Sequence, residues 1–166
     1  MDSYRKFTAI PKPVIKPFSA LELVEQAVNL HTHLAADKNI NIRVFALEDI
    51  ALNADKNLII QVLVNLIKNA IEAANENGEI HIDITCTLDE VQSIRQDYEK
   101  IVIDIANTGQ PIPQDVLSFI FIPFFTTKET GSGVGLSVSR YIMRLHGGNL
   151  LHSVSPKGMT VFSMVF

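Results

Sequence analysis

The most distinctive stretch of the sequence is Ile120-Phe-Ile-Pro-Phe-Phe-Thr-Thr-Lys-Glu-Thr-Gly-Ser-Gly-Val-Gly-Leu-Ser-Val-Ser-Arg140. Three glycines spaced by two, Gly131, Gly133 and Gly135, open a predicted helix. They leave backbone N–H groups free to face an anion at the positive end of the helix dipole. The stretch therefore predicts a phosphate site, and Lys128 just before the glycines is either a phosphate partner or a solvated lysine.

This glycine pattern differs from the two common nucleotide-binding motifs of similar composition. Its spacing is not Gly-x-Gly-x-x-Gly, no predicted strand precedes it, and it lacks the Gly-Lys-Ser/Thr of a P-loop. A flexible helix start would give the same pattern, so the interpretation depends on the other polar segments of the chain.

A second group of polar residues lies on a strongly apolar helix, predicted over Leu58–Ala74 with Asp55 as its N-cap and Asn77-Gly78 at its end. Asn65 and Asn69 stand four residues apart on this helix and therefore share a face. Two amide oxygens on one rigid face suit a magnesium ion that takes its other ligands from phosphates and water. Solvent-exposed or helix-contacting amides are the alternative.

A third segment, Ala106-Asn-Thr-Gly-Gln-Pro-Ile-Pro113, directly follows an apolar strand. A strand that ends in a polar residue and a glycine turn is typical of a sheet that presents a hydrogen-bonding side chain to a ligand. Here that side chain is Asn107. An ordinary strand-ending turn is the alternative interpretation.

Hydrophobic periodicity predicts an alternation of helices and strands along the chain. Besides the helix at 58–74, apolar spacing predicts helices over about residues 20–36 and over Val134–His146. Period-2 alternation predicts strands at Ile40–Val44, Ile80–Ile84, Ile101–Ile105, Leu150–Val154 and Thr160–Phe166. The second and third of these strands form an antiparallel hairpin with a long charged loop. The order implies an α/β (α+β) two-layer sandwich, with helices packed on one face of a mixed sheet.

The composition limits the class of protein. A chain of 166 residues with 47% hydrophobic and 19% charged residues suits one domain that folds alone. The net charge of −4 argues against a nucleic-acid partner, and no apolar run reaches the roughly 20 residues of a membrane span. The lone Cys86 cannot form an internal disulfide and fits a reducing compartment. We therefore expect a cytoplasmic domain without nucleic-acid or membrane contact.

Residues 1–17 differ from the rest of the chain. Three prolines, Pro11, Pro13 and Pro17, forbid a regular helix there, and four basic residues stand against a single acidic one. We interpret residues 1–17 as a linker remnant, with a basic partner-binding arm as the alternative, and residues 18–166 as the domain.

Taken in order, the polar segments resemble the N, G1, F and G2 boxes of the catalytic, ATP-binding domain of sensor histidine kinases. The stretch at 120–140 and the sequence Leu145-His-Gly-Gly148 are specific to that branch of the superfamily. The resemblance covers about residues 18–166 and implies the Bergerat fold, a mixed sheet backed by three helices. It implies that ATP lies between the second long helix and a mobile lid at about residues 122–134.

The same resemblance assigns roles to residues. It implies Asn69 as the magnesium-binding residue, Asn65 and Lys68 as phosphate contacts with catalytic roles, and Gly109 as the adenine-side glycine. Gly158-Met-Thr160 resembles the last box near the adenine. The residues implied to bind nucleotide are Asn65, Asn69, Asn107, Gly109, Ile112, Thr126, Thr127, Lys128, Gly131, Ser132, Gly133, Val134, Gly135, Leu136 and Thr160. ATP and Mg²⁺ are the implied cofactors.

Two details of the motifs carry further expectations. Hydrolytic branches of the superfamily have a general-base Glu one turn before the magnesium-binding Asn, and here that position is Asn65, which cannot take a proton. We therefore expect poor hydrolysis and transfer to an imidazole instead. The usual Asp-x-Gly-x-Gly is here Asn107-Thr-Gly-Gln-Pro111. An amide in place of a carboxylate, with both a donor and an acceptor, predicts weaker ATP binding and lower base selectivity.

None of the five histidines lies in the His-Glu/Asp helix context of the family's phosphoacceptor. We therefore expect an isolated catalytic domain of a two-component sensor histidine kinase. Its acceptor would lie on a separate or missing dimerisation domain, and its further partner would be a response regulator. The parent protein would be cytoplasmic or anchored to a membrane. The alternatives are a non-catalytic nucleotide-sensing or interaction module and a clamp-type ATPase.

Overall fold

The computed structural model of the chain describes residues 10–89, 98–128 and 131–166. Its elements in chain order are β1 (Lys16–Ser19), α1 (Ala20–Asn29), α2 (Thr32–Asp37), β2 (Asn41–Ala46), β3 (Ala51–Ala54), α3 (Lys56–Ala73), β4 (Glu79–Asp89), β5 (Tyr98–Asn107), α4 (Gln114–Leu117), α5 (Gly135–Leu145), β6 (Asn149–Val154) and β7 (Thr160–Val165).

Five of the strands form one mixed sheet in the order β2-β4-β5-β7-β6. β2 pairs with β4 in parallel, and every other neighbouring pair in this sheet is antiparallel. The predicted hairpin is β4–β5, and the two closing strands are β6 and β7. Residues 90–97, the middle of the predicted charged loop, lie outside the described residues.

One face of the sheet is covered by helices, as the two-layer prediction requires. The alternating isoleucines of β4 lie opposite those of β5, with Ile82 against Ile105, and both are no more than 1% exposed. They pack with the apolar face of α3, where Leu63 and Ile67 are fully buried. The predicted α/β sandwich with helices on one face is therefore confirmed.

The N-terminus of α3 begins as the sequence predicts, with Asp55 as its cap. Oδ1 of Asp55 accepts hydrogen bonds from the backbone N–H groups of Asn57 and Leu58 at 2.9 and 3.1 Å. These bonds satisfy two of the donors that a helix start leaves without intrahelical partners.

The C-terminus of α3 lies earlier than predicted. The helix ends at Ala73 and not at Asn77-Gly78, which form the following turn. The reason is Lys38, whose ammonium group donates at 3.0–3.1 Å to the carbonyl groups of Ile71, Glu72 and Ala74. A cation at these carbonyl groups stabilises the negative end of the helix dipole and supplies an end without a glycine cap.

The prediction of one helix over residues 20–36 is wrong, because two helices occupy this range. α1 ends at Asn29 and α2 starts at Thr32. Nδ1 of the buried His31 donates to the carbonyl oxygen of Ala27 at 2.9 Å, and the Thr32 hydroxyl group donates to that of Asn29 at 3.0 Å. These side chains take up carbonyl groups that a continuous helix would use for its own backbone hydrogen bonds.

Three short elements have no counterpart in the sequence prediction. β1 and β3 pair in a separate two-stranded antiparallel sheet, and α4 is a single turn before the predicted lid. Each has four residues, which is too short for a periodic hydrophobic pattern. β1 starts at Lys16, inside the range interpreted as a linker, and residues 1–9 lie outside the described part. The division into linker and domain stays a prediction.

The last predicted helix is confirmed as α5, flanked by Val134 and His146 as its caps. Over the described residues, no helix combines the length and the apolar character needed to span a bilayer.

Candidate nucleotide-binding site

A cavity of about 820 Å³ opens between α3, the central strands β5 and β7 of the sheet, and the segment before α5. This volume falls within the range of small-molecule sites. The residues that line it are Asn65, Lys68, Asn69, Ala70, Glu72, Ala73, Asn107, Gln110, Ile112, Val116, Ile120, Phe125, Thr126, Thr127, Lys128, Gly131, Ser132, Gly133, Gly135, Leu136, Thr160 and Phe162. All the predicted site residues belong to this set except Gly109 and Val134.

The deep end of the cavity carries a buried amide beside a buried hydroxyl group. Asn107 ends β5, Thr160 begins β7, and the two are register partners on neighbouring strands. They are 3% and 4% exposed. Nδ2 of Asn107 donates one of its two hydrogens to the carbonyl oxygen of Thr108 at 2.8 Å, which leaves Oδ1 and the second N–H for a ligand. This bond fixes the amide orientation, so the side chain of Asn107 is less free to flip its donor and acceptor than the sequence predicts.

Gly109 contributes to the site by close packing and not as a lining residue. Its φ is +130°, and a Cβ there would collide with the carbonyl oxygen of Ala73 at the end of α3. Only glycine allows this approach of the β5 turn to the helix. The preceding Thr108 fixes the turn, because its hydroxyl oxygen accepts from the N–H of Glu79 at 2.9 Å. Gly109 thereby sets the distance between α3 and the residue that ends β5.

The other end of the cavity is formed by the start of α5. A Cβ on Gly135 would collide with Oδ1 of Asn65, so the first turn of α5 lies directly against the amide on α3. Val134, the N-cap residue, is buried and accepts a hydrogen bond from the hydroxyl group of Ser137 at 2.8 Å. The glycine at 135 therefore brings the positive end of the α5 dipole to the cavity, where a phosphate group would be stabilised.

Asn65 ties α3 to α5. Its Nδ2 donates to the hydroxyl oxygen of Ser139 at 3.0 Å, and Ser139 is only 2% exposed. One N–H of this amide is therefore engaged within the protein. Asn65 has no group that takes a proton from water, as the sequence analysis expects.

A lysine of the segment before α5 reaches the predicted magnesium residue. Nζ of Lys128 donates to Oδ1 of Asn69 at 3.3 Å and is also ion-paired with Glu72. Glu72 is paired in addition with Lys68 at 3.8 Å. The Asn69 oxygen faces the cavity and is already next to a cation, and an amide oxygen is a ligand that magnesium takes, so the residue present fits a magnesium ion. Among the residues that the structure describes, no three His, Cys, Asp or Glu side chains cluster as metal ligands. A metal here would therefore need phosphate oxygens as further ligands.

The two ends of the predicted lid, residues 122–134, are joined by a backbone hydrogen bond. The backbone N–H of Phe124 donates to the carbonyl oxygen of Gly133 at 2.8 Å, with Phe124 at a φ of +68°. The rings of Phe119 and Phe125 stack with centroids 5.5 Å apart. Residues 129 and 130 lie outside the described part, and the mobility of the lid stays a prediction.

Eight lining residues are absent from the sequence prediction: Ala70, Glu72, Ala73, Gln110, Val116, Ile120, Phe125 and Phe162. Most are apolar or small residues, whose hydrophobicity alone predicts a core position. Glu72 is the one of these residues that carries a charge. It lies four residues after Lys68 and three after Asn69, and both spacings put side chains on one helix face, so the sequence alone could have placed Glu72 beside them.

Behind the cavity wall, polar groups are packed among aromatic rings. The ring of Phe162 has its centroid 5.5 Å from that of His152 and 6.4 Å from that of Phe121. The guanidinium carbon of Arg140 lies 4.4 Å from the Phe121 ring centroid. Burial lowers the pKa of His152, whose Nε2 is buried without a hydrogen-bond partner. These contacts fix Phe162, which forms part of the wall.

Asp55 joins the two helices of the site to the segment before β1. Its Oδ2 accepts a hydrogen bond from the N–H of Val14 at 2.8 Å, and this bond is the main reason that the pKa of Asp55 is lowered. The backbone N–H of Asp55 donates to Nε2 of His146 at 3.0 Å, just after α5. The two site helices are thereby joined at the end away from the cavity.

Comparison with known proteins agrees with this geometry. The family of histidine kinase-, DNA gyrase B-, and HSP90-like ATPases matches residues 54–166. The solved catalytic domain of the histidine kinase ThkA is 34% identical, with a TM-score of 0.78 over 92% of this chain and 95% of that one. Histidine kinase ThkA in complex with the response regulator protein TrrA is 28% identical, with a TM-score of 0.76 over 99% of this chain and 45% of that one.

A curated relative, sensor protein FixL of Bradyrhizobium diazoefficiens, is 35% identical over 95% of this chain and 30% of its own length. The chain spans less than a third of the length of curated relatives such as this one. The cavity, the fold and these likenesses agree with the predicted Bergerat fold. The chain therefore belongs to the histidine kinase-, DNA gyrase B- and HSP90-like ATPase family, and it is an ATP-binding catalytic domain of the histidine kinase type.

Proposed function

We propose that this domain binds ATP with magnesium and transfers the γ-phosphate to a histidine on a separate dimerisation domain. The observation that carries the proposal is the state of Glu72, the one carboxylate among the described residues that line the cavity. It is ion-paired with Lys68 and Lys128. A carboxylate engaged by cations, whether these ammonium groups or a metal ion bound with ATP, is a poor base for water, so the arrangement favours transfer over hydrolysis.

The transfer requires a nucleophile that already carries a free electron pair. A neutral imidazole nitrogen attacks the γ-phosphorus, a P–N bond forms, and the bond to the bridging oxygen breaks with ADP as the leaving group. No proton has to be removed before the attack, because neutral imidazole has a lone pair on one ring nitrogen. Asn65, which takes no proton and is tied to Ser139, suits this chemistry and does not activate water.

Each end of the cavity would hold one part of the nucleotide. The buried Oδ1 of Asn107 and the hydroxyl group of Thr160 suit the polar edge of a purine. The first turn of α5 and the ammonium group of Lys68 suit the phosphates. Asn69 would hold magnesium, which when bound neutralises phosphate charge.

The complex of ThkA with its response regulator supports a further partner of the same kind. We infer that the phosphate passes from the acceptor histidine to a response regulator. We also infer a cytoplasmic location for the domain, where ATP is available as the phosphate donor.

A second function, nucleotide sensing without transfer, is favoured by the altered segment Asn107-Thr-Gly-Gln-Pro111, which differs from the usual pattern. A clamp-type ATPase is disfavoured because Asn65 stands where such enzymes carry a base. The three functions differ in the fate of the γ-phosphate, which would be transferred, retained on ATP or released to water.

The test is incubation with γ-labelled ATP and magnesium, with and without a supplied histidine-bearing dimerisation domain from a related kinase. We expect acid-labile label on the supplied domain, none on this chain, and little free phosphate. Binding without transfer to the domain of any related kinase would support the sensing module. Steady phosphate release without transfer would support the ATPase. Label on one of this chain's own histidines would contradict the proposal of a separate acceptor.

A further inference from the structure

One ammonium group is held between two oxygens on the same face of α3. Asn69 and Glu72 are three residues apart, and both contact Nζ of Lys128, the amide oxygen at 3.3 Å and the carboxylate through an ion pair. Lys128 belongs to the predicted lid, 56 residues away from Glu72 in the chain. We call the pair of oxygens from Asn69 and Glu72 the cation seat.

The charge of Glu72 is unexpected at a phosphate site. A carboxylate repels the phosphates of a nucleotide unless a cation stands between them. Its side chain is 34% exposed, and its second partner, Lys68, is 58% exposed at 3.8 Å. Lys128 is 45% exposed, so both ion pairs of Glu72 are exposed and each is weak by itself. Lys128 differs from Lys68 because it also donates to Asn69, and it is therefore the cation that bridges the two oxygens.

We propose that Glu72 is part of the magnesium site, and that Lys128 fills the cation seat until the metal enters with ATP. The inference rests on the proposed function, because it concerns the same nucleotide site. An amide oxygen and a carboxylate oxygen are both ligands that magnesium prefers, either directly or through water. Two cations cannot share one seat, so Lys128 and the metal compete for it.

The competition links the metal to the lid. With Lys128 in the seat, the described turn at residues 126–128 is held against α3. Once Lys128 leaves the seat, its ammonium group is free to contact a phosphate. Because Lys128 competes with the metal, its removal must strengthen the effect of the metal on ATP binding. Because Glu72 attracts the metal, removal of its charge must weaken that effect.

The experiment is calorimetric titration of the whole chain with ATP, with and without magnesium. The measured quantity is the magnesium ratio, the ATP dissociation constant without magnesium divided by that with magnesium. The variants are Glu72→Gln and Lys128→Gln. The controls are Glu76→Gln, an exposed carboxylate just past the same helix, and Lys157→Gln, an exposed lysine in the turn between β6 and β7.

We expect Glu72→Gln to lower the magnesium ratio by about fivefold or more, the lower end of typical coupling between two ligands. We expect Lys128→Gln to raise the ratio by a similar factor while it weakens ATP binding itself. A magnesium ratio for Glu72→Gln within twofold of that for Glu76→Gln would overturn the cation seat. A fall of the ratio in Lys128→Gln would overturn the competition between lysine and metal.

A second measurement uses Mn²⁺ in place of magnesium and follows the relaxation of water protons. We expect the complex of Glu72→Gln with ATP to bind Mn²⁺ more weakly than the complex of Glu76→Gln with ATP does. Equal retention by both variants would overturn the proposal. Absence of ATP binding by the unmodified chain would overturn the proposed function together with the seat. ATP binding with an unaltered metal response in Glu72→Gln would overturn the seat alone.

Discussion

One N–H of the Asn107 side chain is already engaged. Nδ2 donates it to the carbonyl oxygen of Thr108, which fixes the amide orientation and leaves Oδ1 and the second N–H for a ligand. An acceptor at this position matches the N6 amine of adenine and opposes the O6 oxygen of guanine. We therefore expect a preference for ATP over GTP even though the usual carboxylate is absent.

We predict that Asn107→Asp widens the ATP-over-GTP preference, because the added charge repels the guanine oxygen. ATP affinity itself should change by no more than about threefold, since the stronger charged hydrogen bond is offset by loss of the bond to Thr108. Competition titrations at pH 8 measure both nucleotides with the carboxylate ionised. Asn107→Leu, which has neither group, is the control and should lose the preference. An unchanged ATP-to-GTP ratio in Asn107→Asp would mean that this residue does not read the base.

Asn69 supplies the predicted metal-binding oxygen, so Asn69→Ala should lose most of the effect of magnesium on ATP affinity. The expected loss is about tenfold in the presence of the metal and small in its absence, because one oxygen ligand disappears. Asn57→Ala, an exposed amide on the same helix, is the matched control. Equal magnesium dependence in the two variants would refute the assignment of Asn69.

Side chains that share a helix face with close neighbours in the sequence could be predicted. Asn65 and Asn69 were predicted from their separation of four on one helix. The role of Glu72 depends on Lys128, which approaches from a segment 56 residues away, and no local pattern records that approach. The bond between Asn107 and Thr108 was not predicted either, because amide orientation is set by the final backbone.

At the scale of elements, α3 is fixed at both ends by side chains from different parts of the chain. Asp55 caps its start, and the ammonium group of Lys38 bonds to three carbonyl groups at its end. The residues at that end include Glu72 of the cation seat. The stability of the helix end therefore bears on the geometry of the nucleotide site.

We predict that Lys38→Met destabilises the domain by about 1–2 kcal/mol, because three carbonyl groups lose a charged donor. For a chain of this size the melting temperature should fall by roughly 2–8 °C. Thermal unfolding followed by circular dichroism measures this change. Lys157→Met changes an exposed turn and should keep the melting temperature within about 1 °C of that of the unmodified chain. Equal melting temperatures for the two variants would show that Lys38 does not stabilise the helix end.

Elements with a long apolar period were predictable, and short or interrupted ones were not. α3, α5 and the β4–β5 hairpin follow directly from the spacing of their apolar residues. β1, β3 and α4 have only four residues each. The break after α1 depends on hydrogen bonds from His31 and Thr32 to the preceding turn, which periodicity does not show.

At the scale of the whole molecule, two groups tie stability to pH. The pKa of Asp55 is lowered from 3.8, mainly by the N–H of Val14, so the fold favours its charged form. The pKa of His152 is lowered from 6.5 by burial, so the fold favours its neutral form. In both cases the unfolded chain binds a proton more readily than the folded chain does.

We predict that the free energy of unfolding falls as the pH drops below 6.5, as the unfolded chain protonates His152 first. A second fall should follow below 3.8, as the Asp55 carboxylate is protonated and its contribution is lost. Urea titrations from pH 8 to pH 3 measure both falls. In His152→Gln the decrease just below pH 6.5 should be smaller than in the unmodified chain. An identical decrease in both would show that His152 does not contribute.

If the cavity between α3 and the start of α5 is the ATP site, ATP must perturb the backbone amides that line it. An amide chemical-shift titration of the ¹⁵N-labelled chain with ATP and magnesium measures this directly. We predict saturable shifts at Asn107, Gly133, Gly135 and Thr160, which line the cavity, and none at Arg43 on the opposite face of the sheet. Shifts centred on that opposite face, or no saturable shifts at the cavity residues, would show that ATP does not bind in this cavity.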